Sequence, residues 1–327
     1  MSYPASDHCD GAHFFNPEGS RRNSRRFALL RWMTQRGGRA KWPIHVENTA
    51  YAPPGEAVAA GDVALTFIGH SSFLLRMDGL TLLTDPMFSA RCSPVGWAGP
   101  KRVRAPGQPI AALPKPDAIL LSHNHYDHCD LPSLQALQSR FGRIPIIAPL
   151  GNRIWLARHG VHPVIELDWW QRTRIDDATI VLTPARHFAA RTLRDRNTTL
   201  WGGFFVRHGG ASVYFAGDTG YTGYFRTISE RLGAPDIALL PIGAYEPRWI
   251  MGNVHMNPAD AVRAFGELST GCAVGMHFGT FQLTDEAIDA PLVDLAAACD
   301  ATGIDSTRFV TLDFGETRMF RRGRTEA

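Results

Sequence analysis

From Val63 onward, short apolar runs recur, each stopped by glycine or aspartate. Ala64-Leu65-Thr66-Phe67-Ile68, Ser72-Phe73-Leu74-Leu75 and Leu80-Thr81-Leu82-Leu83-Thr84 read as strands, and Gly69 and the Asp78-Gly79 pair between them suit an antiparallel meander. Further strands are expected at 117–122, 145–148, 178–183, 201–206, 212–216, 236–241, 273–277 and 308–313. Helices are expected at 131–140, 151–159, 221–232, 258–268 and 285–300; Asn257 followed by Pro258 has the form of an N-cap with proline in the first position. Strands alternating with helices, with sheet faces too apolar to leave bare, predict a layered α/β fold. Residues 1–58 read differently, as a polar, arginine-rich extension with prolines at 43, 53 and 54, preceding a domain over 59–327. A short helix is expected around 27–34.

The 327 residues are 44% hydrophobic and 20% charged with a net charge of +3, the profile of an ordinary globular chain. No run approaches the ~18 apolar residues of a membrane span. Ser24-Arg25-Arg26-Phe27 echoes a twin-arginine export signal, but its apolar stretch stops at Arg31. Five widely spaced cysteines without a C-x-x-C pair fit a reducing compartment, so a cytoplasmic location is expected, peripheral to the inner face of a membrane. Cys129 reads as a packing residue. Between Arg21 and Lys41 there are eight basic residues and no acidic ones, interleaved with Phe27, Leu29, Leu30 and Trp32. This segment suits contact with an anionic membrane surface; the alternative is an arm packed on the domain with its arginines in water. No interleaved aromatic and basic groove points to nucleic acid. A homodimer rests only on the general prevalence of two-fold assemblies.

The candidate chemistry begins at His123-Asn124-His125-Tyr126-Asp127-His128, an H-x-H-x-D-H hexapeptide, and continues at His187, Asp218 and His277. Chance would produce the hexapeptide roughly once in a thousand chains of this composition. Each ligand sits at or past the carboxyl end of an expected strand, where α/β sheets present functional groups. His123 and His125, two residues apart, can grip one ion, with His187 completing a three-histidine face. Asp127, His128 and His277 then face a second ion, and Asp218 has two oxygens with which to bridge. Imidazole and carboxylate suit zinc without excluding manganese or iron, and a pair of ions about 3.5–4 Å apart activates water for hydrolysis. His8, His13, His45, His159, His162 and His208 read as solvated or packing residues, and His70 as structural rather than site-orienting.

Gly69-His70-Ser71-Ser72, Leu83-Thr84-Asp85-Pro86-Met87-Phe88-Ser89, Gly99-Pro100-Lys101-Arg102, Glu166-Leu167-Asp168-Trp169-Trp170, Phe215-Ala216-Gly217-Asp218-Thr219-Gly220-Tyr221 and Pro241-Ile242-Gly243-Ala244-Tyr245-Glu246-Pro247-Arg248-Trp249 extend the pattern. With these, the chain resembles the metallo-β-lactamase-fold hydrolases, and among them N-acyl-phosphatidylethanolamine-hydrolysing phospholipase D and its bacterial relatives. The resemblance implies a four-layer αβ/βα sandwich with two zinc ions, held by His123, His125 and His187, by Asp127, His128 and His277, and by Asp218 between them. It implies that Tyr126 and His255 contact substrate, although His255-Met256-Asn257-Pro258-Ala259-Asp260 departs from the family's His before Asp-Pro-Glu-Glu. The expected activity is phosphodiester hydrolysis releasing N-acylethanolamine and phosphatidic acid, with Asp127 holding the attacking water or shuttling its proton. Arg186, Arg191 and Arg248 are candidate phosphate ligands, each also open to pairing with a carboxylate, and Trp169 and Trp170 line a cleft or pack in the core. The alternatives are a hydrolase of a small ester, lactone or amide, and a non-catalytic metal-dependent sensor.

Overall fold

Consecutive residues of the central strands point into different cores, and that alternation builds the layers. A computed structural model describes residues 3–18, 32, 39–55 and 57–321. In the first half, β1 (Val63–Gly69), β2 (Ser72–Met77), β3 (Leu80–Thr84), β4 (Ala118–Leu120) and β5 (Ile146–Pro149) are almost wholly buried. Leu65, Phe67, Phe73, Leu75, Leu82, Leu120 and Ile147 enter one apolar cluster, while Leu74, Leu83, Ile119 and Ile146 enter a second. This is the period of two that strand geometry imposes. The second cluster is closed by Leu134 and Leu137 of α1 (Leu131–Phe141) and Leu156 of α2 (Arg153–Arg158).

The larger cluster continues into the second half. It takes in β8 (Ala178–Thr183), β9 (Gly203–His208), β10 (Ala211–Phe215), β11 (Ile237–Pro241) and β12 (Cys272–Met276). It also includes Phe225 and Ile228 of α3 (Tyr224–Leu232), Val262 and Phe265 of α5 (Pro258–Leu268), and Leu295 of α6 (Ala290–Thr302); the short α4 (Arg248–Met251) precedes α5. The layers are therefore helix, sheet, sheet, helix, the αβ/βα sandwich that the sequence led us to expect.

Four edge strands complete two seven-stranded sheets: β6 (Val164–Leu167), β7 (Arg172–Ile175), β13 (Phe309–Val310) and β14 (Thr317–Phe320). The orders are β14-β1-β2-β3-β4-β5-β6 and β7-β8-β9-β10-β11-β12-β13. Each sheet has three antiparallel pairings followed by three parallel ones, so β14 stands in the first sheet where β7 stands in the second. The sequence pattern missed β6, β7 and β14, and β13 keeps only two residues of the strand expected at 308–313. The cause is shared: edge strands are short, half-exposed and charged, as in the Arg-Thr-Arg-Ile of β7. The helix expected at 285–300 starts only at Ala290, because Asp285 and Glu286 turn to other partners. Asn257 caps α5 as expected: its side chain accepts from Asp260 N at 2.8 Å, and Asp260 returns a bond to Asn257 N.

Residues 3–18 pack on the body through Phe14 N to Asn197 O (2.8 Å), Asn16 Nδ2 to His187 O (2.8 Å) and Thr222 Oγ1 to Glu18 (2.9 Å). Trp32 donates to Asp285 (2.7 Å), Arg39 to the carbonyls of Gln282 and Thr284, and Trp42 to Glu286 O. The helix expected around 27–34 and most of the basic 21–41 segment fall outside the described residues. Among the described residues no helix is long and apolar enough to cross a membrane.

His8 anchors the first of these segments. Its ring stacks on Trp169 with centroids 4.4 Å apart, Nε2 lies 2.7 Å from Asp168, and Nδ1 faces Asp7 and, at 3.3 Å, the Ser6 hydroxyl. Two carboxylates, both acceptors, face the two nitrogens, which favours a doubly protonated ring. Burial works against that charge, but the bonds to Asp168 and Asp7 outweigh it and raise the pKa. The stabilisation is then complete below the free-chain pKa near 6.5 and is lost as pH rises through the folded value. Hydrogen exchange, corrected for intrinsic rate, is expected to show residues 3–18 better protected at pH 6 than at pH 9. His8→Ala should abolish that difference and remove a charge-assisted bond worth roughly 1.5–3 kcal/mol.

Candidate metal centre

Five loops bring polar side chains to one edge of the sandwich. They follow β3 (Asp85), β4 (His123 to His128), β8 (His187), β10 (Asp218) and β12 (His277). After β4 the chain turns sharply: His128 N and Cys129 N both donate to His125 O, at 3.1 and 2.8 Å, which swings Asp127 and His128 back toward His123. Gly217, at φ +59°, lets the next loop press in. A Cβ there would lie 2.7 Å from Ser122 Cβ and 2.9 Å from Gly202 O, so the approach that seats Asp218 requires glycine.

All seven residues predicted as ligands converge. His125 Nδ1 lies 2.9 Å from His123 Nε2 and 3.2 Å from His187 Nε2. Asp127 Oδ2 lies 3.5 Å from His128 Nε2 and 3.6 Å from His277 Nε2. Between the two triads sits Asp218 Oδ2, at 3.1 Å from His277 Nε2, 3.2 Å from His128 Nε2, 3.8 Å from His187 Nε2 and 3.9 Å from His123 Nε2. His255 joins the group, with Nδ1 3.8 Å from Asp218 Oδ2 and its ring 5.2 Å from that of His187.

Hydrogen bonds on the far side of the rings decide which atoms face inward. His187 Nδ1 lies 2.9 Å from Val254 O, and a carbonyl only accepts, so Nδ1 carries the proton. Ser122 Oγ gives its proton to Asp85 Oδ2 (2.5 Å) and must therefore accept from His123 Nδ1 at 2.9 Å. Asp85 Oδ2 also takes the Nδ1 proton of His128 at 2.7 Å. His123, His128 and His187 thus all turn Nε2 to the centre. His128 Nε2, His277 Nε2, His255 Nδ1 and Asp218 Oδ1 are buried without a hydrogen-bond partner. Each such atom costs ~1–3 kcal/mol if left unpaired. Converging lone pairs and carboxylate oxygens are what a cation satisfies, so these residues fit divalent metal.

The charges divide the site in two. Burial drives His123 and His187 well below the usual imidazole range and His125 down to about 4, so the three-histidine group is neutral at physiological pH. Burial pushes the Asp127 and Asp218 carboxyls up, but the facing His128 and His277 prevail and hold both well below the usual carboxylate range. Burial likewise opposes charge on His277, yet Asp218 and Asp127 push it up to about 9, and they raise His128 as well. A divalent ion would take the place of these protons.

The structure gives several residues left open by the sequence definite partners. Arg186 donates to Tyr221 O and Asn253, Arg191 to Asn124 O and Cys129 O, and Arg248 to His255 O and Asp260. All three brace site loops and so are not free phosphate ligands. Trp169 is core, with Nε1 bonded to Trp201 O, and Trp170 lies under Arg231. Tyr126 stacks under Arg191, 4.0 Å from its ring centre, and its hydroxyl donates to Arg191 O at 3.1 Å. Two residues were undervalued. Asp85 had no local signal beyond its place after a strand, and His70, read as structural, brings Nε2 within 3.1 Å of Asp127 Oδ2.

The fold and this centre define a metallo-β-lactamase-type protein. The family described as Beta-lactamase superfamily domain matches residues 81–278, and the chain belongs to it. An uncharacterized protein of Mycobacterium tuberculosis is 43% identical over 246 residues, covering 74% of this chain and 65% of that one, so the chain spans somewhat under two thirds of that relative. N-acyl-phosphatidylethanolamine-hydrolyzing phospholipase D 1 of Caenorhabditis elegans is 36% identical over 263 residues, 77% of this chain and 74% of that one. Among solved structures, a metallo hydrolase from the archaeon Ignicoccus hospitalis superposes with a TM-score of 0.60 at 25% identity, covering 80% of this chain and 99% of that one.

Two outcomes are expected. Chelator-stripped protein given zinc at a hundredfold excess over Kd should gain about 2.7 kcal/mol of stability per bound ion in denaturant titrations. Asp85→Asn should weaken zinc roughly 10–100-fold in chelator competition, because an amide whose oxygen accepts from Ser122 Oγ and His128 Nδ1 turns an NH2 donor toward Ser122 N, which needs an acceptor.

Proposed function

We propose that this chain is a dinuclear zinc hydrolase that cleaves the phosphodiester of N-acyl-phosphatidylethanolamine, releasing N-acylethanolamine and phosphatidic acid. The observation that carries the reading is Asp218 Oδ2 lying within 3.9 Å of four imidazole nitrogens, two from each triad. The two triads and this shared oxygen suit a pair of ions. When bound, the ions supply Lewis acidity to a phosphoryl oxygen and lower the pKa of a water.

The remaining work falls to the chain's own groups. Asp127, at 14% side-chain exposure, is the more open of the two carboxylates, Asp218 having 1%. It is held ionised, so the carboxylate oxygen not engaged by His70 can accept a proton from the attacking water and pass it to solvent. His255 is kept neutral by burial, down to about 4, and offers the substrate a hydrogen-bonding ring rather than a charge. With Arg186, Arg191 and Arg248 engaged by the protein, the charge of a phosphodiester is left to the metal centre.

The lipid substrate rests on the worm phospholipase relative and on exposed apolar side chains near the site. Leu193, on the loop after His187, is 98% exposed, and Trp249 of α4 is 49% exposed. Both suit contact with an amphiphile.

Mass spectrometry of products from metal-loaded protein and N-acyl-phosphatidylethanolamine in mixed micelles tests the proposal. Wild type should yield N-acylethanolamine and phosphatidic acid. Asp127→Asn should lower the rate roughly 10²–10⁴-fold, and His128→Ala should abolish it. No turnover by metal-loaded wild type would shift the reading to a small ester, lactone or amide.

A further inference from the structure

His70 lies in the turn between β1 and β2 at φ +58°, a left-handed conformation uncommon for residues other than glycine. Gly69 before it is at φ +133°, and a Cβ there would come within 2.9 Å of the Phe314 ring, so the turn is pressed against Phe314. The His70 side chain is 2% exposed. Its carbonyl accepts from His277 N at 2.8 Å, just where the chain leaves β12 and His277 itself turns to φ +63°. Its ring packs on His277 with centroids 4.0 Å apart, lies 5.2 Å from that of His128, and meets Phe281 edge-on at 5.4 Å. Nε2 lies 3.1 Å from Asp127 Oδ2. His70 therefore reaches every member of one triad.

Packing alone does not explain the residue. Nδ1 is buried without a partner, a destabilising feature that an apolar ring of the same size would avoid. Asp127 Oδ2 only accepts, so Nε2 must carry the proton. We propose that His70 is the positioning residue of the Asp127, His128 and His277 triad, with Nε2–H steering the Asp127 oxygen and the His70 carbonyl and ring face setting His277. This rests on the two-ion reading above. A carboxylate oxygen that accepts from His70 keeps a second lone pair for the ion, in a direction fixed by the first. His123 and His187 of the other triad are oriented without His70, through Ser122 and Val254.

The test uses His70→Asn and His70→Gln in the full chain. Asparagine tolerates a left-handed backbone but is too short to reach Asp127, whereas glutamine carries an amide donor to about the position of Nε2. Zinc stoichiometry, stepwise affinities by chelator competition, the cobalt(II) absorption spectrum and the melting temperature are recorded for each. Wild type is expected to take two ions. His70→Asn should leave the first affinity unchanged and weaken the second roughly 10–100-fold, and His70→Gln should recover most of that loss. An unchanged second affinity in His70→Asn would overturn the proposal. So would equal weakening of both ions with a lowered melting temperature, or a His70→Gln no better than His70→Asn. Fewer than two ions in saturated wild type would remove the two-ion reading itself, and this proposal with it, before any variant is compared.

Discussion

Asp127 and Asp218 carry negative charge into a place that water hardly reaches, and the rest of the site is arranged around that fact. Moving a carboxylate out of water costs several kcal/mol even after a protein relaxes around it. Here the cost is offset by His128 and His277, whose Nε2 atoms lie 3.1–3.6 Å from the carboxylate oxygens. The same oxygens and nitrogens form a coordination shell that suits divalent ions. A site that must gather this many polar groups is stable only if the scaffold holds them together against their own preference for solvent.

The scaffold does so through its two sheets. Each interior strand is buried on both faces, and each buried leucine, isoleucine or phenylalanine contributes roughly 1.5–3 kcal/mol. That apolar burial fixes the strands, and the loops after β3, β4, β8, β10 and β12 meet at a single edge of the sandwich. The candidate ligands are therefore outside the apolar core yet carried by the ends of its buried strands.

One carboxylate outside the ligand set organises much of the remainder. Asp85 accepts from Ser122 N, Ser122 Oγ and His128 Nδ1, and through Ser122 it sets the tautomer of His123. It thereby links a ligand of one triad to a ligand of the other. The N-terminal residues add support from outside: Asn16 holds the carbonyl of His187, while Trp32, Arg39 and Trp42 hold the 282–286 segment beyond His277.

Much of the scaffold could be read locally. Interior strands announced themselves by apolar runs, α5 by its Asn257-Pro258 start, and the ligands by imidazoles and carboxylates placed just after strands. These features depend on residues close together in the chain. The edge strands β6, β7 and β14 escaped because they are four residues long, largely half-solvated and each interrupted by a charged residue. Arg186, Arg191 and Arg248 were left open between phosphate binding and carboxylate pairing, because their acceptors, Asn253, Asn124 O and Asp260 among them, come from other segments that folding brings near. Asp85 and His70 stand 43 and 57 residues before the partners they hold. The sequence by itself determined the imidazoles and carboxylates of the centre and the strands that carry them. The tertiary structure alone decided which nitrogens face the centre, because a ring's tautomer is set by whatever hydrogen-bond partner lies behind it, and that partner comes from elsewhere in the chain.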